Sequence, residues 1–135
     1  MDLKLFLSDI SEIKQEDFNY KRAYTCRKEN KHLPLFGKPL SEVLPIAKVC
    51  ISGYLMSKYN FDNAEHIKLK YGFTDNQLSS LINPFHRVTF TNGCMVNTPT
   101  KGAKLVTVLN YVRKITKRKE WKNDEFMSIV DVTKI

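Results

Sequence analysis

Cysteine is scarce in this chain: Cys26, Cys50 and Cys94 are odd in number, widely spaced and without a Cys-x-x-Cys pair. That pattern builds neither a disulfide framework nor a zinc ribbon, and it fits a reducing, cytoplasmic setting. Glycine is equally thin, and Gly37, Gly53, Gly72, Gly93 and Gly102 all stand alone, so no Gly-rich loop is present to cradle a phosphate. His32, His66 and His86 lack His-x-x-x-His spacing, so a metal site would have to assemble from scattered positions, and neither metal nor cofactor is expected. Long apolar runs are missing too. The opening "MDLKLFLSDI" has only Leu5 to Leu7 uninterrupted, too short for a signal-peptide core, and no stretch approaches the ~18 apolar residues of a membrane span, so no membrane partner is expected.

What the chain does have is enough apolar residue, 42% of 135 positions, to build one core. It also has a formal charge of +8 that is unevenly laid down. Residues 20–40 carry six bases against one acid and residues 87–122 nine against one, flanking a neutral centre. A polyanionic partner is the simplest reading of such blocks.

Three segments are expected: an N-terminal segment and basic arm at 1–40, a domain at 41–122, and a C-terminal tail or strand at 123–135. In "DLKLFLSDISEIKQEDF", Leu3, Phe6, Ile10 and Ile13 have helical spacing, while Leu3, Leu5 and Leu7 also suit a strand. Pro34, Gly37 and Pro39 then make an arm or loop. A helix is expected over 41–59, opening at Ser41 and tolerating Pro45, and a second over 62–70, ended by Gly72 in the left-handed conformation. Thr74 and Gln77 form a capping box for a third helix whose inward face is Leu78, Leu81 and Ile82. Asn92-Gly93 between runs of β-formers marks a hairpin at 87–97, and Leu105, Val108, Leu109, Val112 and Ile115 mark a helix over 103–120.

Helix, glycine turn, helix and hairpin is the order of a winged helix-turn-helix, so the expected fold class is mainly α with a β-hairpin. In that arrangement the outward positions of the third helix are Asp75, Asn76, Gln77, Ser79, Ser80 and Asn83, amides and hydroxyls suited to bonding base edges. Phosphate contacts are expected from Lys21, Arg22, Arg27, Lys28 and Lys31 in the arm, from Lys70 and Arg87, and from Lys114, Lys117, Arg118 and Lys119. The stretch "YLMSKYNFDNAEHIKLKYGFTDNQLSSL" resembles the DNA-binding region of bacterial regulators of fimbrial operons and plasmid KorA-type repressors, with Lys68 where the helix-turn-helix pattern has a small residue. The resemblance implies transcriptional control by sequence-specific binding of double-stranded DNA, commonly as a homo-oligomer, here a dimer.

The rival reading is a non-enzymatic basic adaptor or modulator that docks on an acidic protein surface. "YKRAYTCRK", with Tyr20 and Tyr24 among cations, also has the composition of a stacking surface for unpaired bases, or of a loop whose tyrosines pack inward. An enzyme is not expected. Asp9, Glu12 and Glu16 share a face if the first segment is helical, and a solvated acidic face is their expected role.

Overall fold

The computed structural model describes residues 1–20, 23–28, 35–82 and 104–125, together with the backbone of 89–91, 94–97 and 130–131. Among these the chain is mainly helical with two small sheets.

The ambiguous first segment is a helix, α1 (Leu3–Ile10). Asp2 caps it by accepting from the Leu5 amide at 3.1 Å, and Phe6 and Ile10, one turn apart, are fully buried. A short 3-10 turn (Gln15–Asp17) follows, and its Gln15 Oε1 accepts from the Leu105 amide at 2.8 Å, satisfying an orphan donor at the start of a later helix.

The helix expected over 41–59 does not exist as one piece. It divides into α2 (Leu40–Val43), the strand β2 (Ala47–Val49) and α3 (Ile51–Lys58). Pro45 has no amide to continue α2, and the residues after it pair antiparallel with β1 (Tyr24–Cys26), a strand inside the expected arm, in the register Tyr24↔Val49, Thr25↔Lys48, Cys26↔Ala47. α3 is a core helix, with Ile51, Gly53, Tyr54, Leu55, Met56 and Ser57 all buried.

The next elements follow the expected order. α4 (Glu65–Tyr71) ends at Gly72, whose φ of 72° is left-handed, and α5 (Asp75–Ile82) starts three residues later. The capping box is present in both directions: Thr74 N donates to Gln77 Oε1 at 2.9 Å and Gln77 N donates to Thr74 Oγ1 at 3.1 Å. The hairpin forms from β3 (Thr89–Thr91) and β4 (Cys94–Asn97), with β5 (Val130–Asp131) added parallel to β4; the Asn92-Gly93 turn lies outside the described residues.

The expected helix over 103–120 also breaks, into α6 (Leu105–Ile115) and α7 (Lys119–Lys122). At the break the Thr116 hydroxyl bonds back to the carbonyls of Val112 and Arg113, and Arg118 is extended. The break folds Trp121 into the interior, where it is fully buried. A run of ring contacts then crosses the core from Phe6 to Phe73 (5.1 Å) and from Phe73 to Trp121 (5.5 Å), with Tyr71 against both Phe6 and Phe73. α1 therefore shares one core with α3 to α7.

Candidate functional site

The amide and hydroxyl positions of α5 divide between two faces. Asp75 and Asn76 are exposed and Ser79 is half-exposed, as an outward face requires. Gln77 and Ser80 are not outward: they are 4% and 0% exposed. Gln77 already uses its carbonyl oxygen in the capping box, and its Nε2 donates to the backbone carbonyls of Trp121 (3.1 Å) and Lys122 (3.3 Å). Ser80 Oγ donates to the Gln77 carbonyl at 2.7 Å and accepts from the Trp121 indole N–H at 2.8 Å. The Tyr111 hydroxyl closes the group on the Ser80 carbonyl at 2.7 Å. Every polar atom of the Gln77 amide is engaged inside the molecule, which leaves nothing for a base edge. Asn83 lies outside the described residues.

Asp75 is exposed and paired with Lys68 at 2.8 Å, and Lys68 also meets Glu65. Those two carboxylates, Asp75 first, hold the Lys68 ammonium above the ordinary lysine range. Lys68 is half-buried, and its head reaches Asp75 in the first turn of α5.

Among the expected phosphate contacts, Lys28, Lys70, Lys114, Lys117 and Lys119 are exposed and Arg118 is half-exposed, its Nε 3.6 Å from Glu120. The Lys70 ammonium sits 4.3 Å from the centre of the Tyr59 ring. Arg27 is exposed as well but has partners within the protein. Its guanidinium donates to the Leu44 carbonyl (2.9 Å), the Glu16 carbonyl (3.3 Å) and Asp17 Oδ1 (2.7 Å), clamping the 3-10 turn to the end of α2. Lys21, Arg22, Lys31 and Arg87 lie outside the described residues.

The Gln77–Trp121 bonds decide where the cations go. They hold the backbone of Trp121 and exposed Lys122 against Gln77 in the first turn of α5, one residue from exposed Asn76. The capping box was a readable signal for Gln77 as a cap, but its second role depends on a residue 44 positions away.

The acidic face expected of Asp9, Glu12 and Glu16 is likewise not solvated throughout. Asp9 is 5% exposed because the Tyr59 and Tyr71 hydroxyls donate to its Oδ2 at 2.5 and 2.6 Å, with Lys58 3.8 Å away. Lys58 also pairs with Glu12, which accepts from the Tyr54 hydroxyl at 3.4 Å. Burial first, then the bond to Asp9, raises the Tyr71 phenol far above the ordinary tyrosine range, and the same two causes raise Tyr59. Burial also raises Tyr24 and Tyr54. A phenol whose pKa is higher folded than unfolded contributes stability that is fully present below about pH 10 and is lost as pH rises beyond it. Phenolate absorbance at 295 nm is therefore expected to lag that of the urea-unfolded chain above pH 10 and to catch up in step with loss of helical ellipticity. Superimposable titrations of folded and unfolded chain would contradict this packing.

Among the described residues no three His, Cys, Asp or Glu side chains converge as a metal site, and no helix is long and apolar enough to cross a membrane. A small solvent-open cleft lined by Phe18, Tyr20, Cys50, Ile51, Leu81, Ile82 and Val108 offers only a thiol and a phenol as polar side-chain groups. No family model matches the chain, and no curated protein or solved structure is significantly similar to it.

Proposed function

We propose that the protein binds duplex DNA as a transcriptional regulator, with α3 to α5 as a helix-turn-helix, β3–β4 as its wing, and the cationic break between α6 and α7 on the phosphates. The observation that carries this reading is the Gln77–Trp121 link, which sets exposed Lys122, in a lysine-rich segment, beside the N-terminal end of α5. In helix-turn-helix proteins that end of the second helix meets the bases, and the exposed residues of α5 are concentrated there. Base reading falls to Asn76, helped by Ser79, while Asp75 holds Lys68 in place. Two copies on symmetric half-sites would double the contact.

The test is selection of bound duplexes from a random pool, followed by titration of a selected and a scrambled duplex at two salt concentrations. Asn76→Ala is expected to cut the preference between them by roughly 5- to 150-fold, the ~1–3 kcal/mol of a bidentate base contact, with the melting temperature unchanged. Replacing Lys114, Lys117 and Lys119 together by Ala should weaken both duplexes alike and lower the log–log salt slope by about three. No enriched sequence, and equal weakening of every duplex by salt, would overturn base reading.

A further inference from the structure

Phe36 is the exposed exception among the phenylalanines with described side chains: 57% of its surface is open, whereas Phe6, Phe18 and Phe73 are buried and Phe61 is half-buried. The exposure is built into a defined turn. Leu35, 2% exposed, anchors the chain in the core; Gly37 follows with a φ of 83°; and Lys38 N closes the turn on the Leu35 carbonyl at 3.1 Å. Tyr24 holds the Phe36 ring edge-on, with centroids 5.2 Å apart and planes at 89°. Tyr24 is itself held, its hydroxyl 3.0 Å from Ser57 Oγ on α3. Of the two aromatic rings in this contact, the tyrosine serves as a support and the phenylalanine is left with an open face.

The surroundings narrow what that face meets. Among the described cations of this part of the chain, Lys38 is two residues away and exposed and Lys28 is exposed just past β1. Asp62, whose Cβ would lie 3.8 Å from a Cβ on Gly37, has His66 Nδ1 3.7 Å from its carboxylate. Phe36 has no polar edge, so it suits a flat apolar face, and exposed Lys38 and Lys28 favour one carried by an anion.

We infer that Phe36 is a stacking platform for an unpaired nucleobase, giving the protein a single-strand contact separate from α5. This rests on the nucleic-acid reading above. It needs no sequence preference, because every base has a π-face, and the preset ring loses little freedom on binding.

The experiment uses the full chain, a twelve-nucleotide oligo(dT) and a random-sequence duplex. Trp121 is the chain's single tryptophan and is fully buried, so Phe36→Trp adds one exposed fluorophore. Quenching of that added emission at oligo(dT) saturation is expected. Phe36→Ala should weaken oligo(dT) binding about five-fold or more, with duplex affinity within roughly two-fold of wild type and an unchanged melting temperature. Oligo(dT) binding that ignores Phe36→Ala and leaves the added emission untouched overturns the stacking role alone. Duplex binding without any oligo(dT) binding does the same. If wild type binds neither, the nucleic-acid reading falls with it.

Discussion

Gly53→Ala is expected to destabilise the protein by about 3 kcal/mol or more, the upper end of what overpacking costs. In an exposed helix interior the same change would stabilise by ~0.5–1 kcal/mol, so the sign is itself the test. A Cβ at Gly53 would lie 2.0 Å from the Ala23 carbonyl oxygen, 2.7 Å from its carbon and 3.2 Å from its Cα. All three are backbone atoms, and no rotamer change relieves them. Ala23 cannot simply withdraw, because its carbonyl accepts from the Cys50 amide at 3.2 Å, next to the Tyr24↔Val49 end of the β1–β2 ladder. Relief therefore means separating β1 from α3 and disturbing the sheet. Thermal unfolding followed by circular dichroism should show a drop on the order of 10 °C for a chain of this length. A melting temperature equal to or above wild type would mean that α3 and β1 do not approach this closely.

The close approach of β1 to α3 also shows why part of the fold could be read from sequence and part could not. Gly72, the Thr74–Gln77 box and the hairpin at 89–97 are local devices: the residues that need a left-handed turn or a reciprocal cap are within four positions of each other. The strand Ala47–Val49 is different. Its three residues lie inside an apolar pattern with helical spacing, and only pairing with Tyr24–Cys26, more than twenty positions upstream, makes them extended. The inward placement of Gln77 and Ser80, and the ties of Arg27 to distant carbonyls, have a related reason. Their chemistry is that of surface residues, and nothing nearby in sequence supplies the indole and carbonyls that take Gln77 and Ser80 inside or the carbonyls that hold the exposed Arg27 to the protein. Asn76, whose only local instruction is to sit on a helix, stays where periodicity puts it.

Trp121→Ala should cost about 3–5 kcal/mol, since the side chain is fully buried and its loss leaves a cavity against Phe73. Trp121→Phe separates two parts of that cost. It keeps a ring for Phe73 but removes the indole N–H that donates to Ser80 Oγ and, at 3.2 Å, to the Gln77 carbonyl, a loss of about 1–3 kcal/mol. Gln77→Ala strips the cap and leaves the Trp121 and Lys122 carbonyls without their donor, so it too should destabilise, by a similar ~1–3 kcal/mol, where a surface amide would be within about 0.5 kcal/mol of neutral. Because the two side chains belong to one network, the double variant should be less damaged than the sum of the singles, with a coupling of roughly 0.5–3 kcal/mol in urea unfolding. The consequence for binding follows from the same bonds. With Gln77→Ala the carbonyls of Trp121 and Lys122 lose the donor that ties them to α5, so duplex affinity should fall in a folded sample although no cation has been removed. Strictly additive stabilities would mean that Gln77 and Trp121 are independent, and that α5 and the cationic segment are not held together by them.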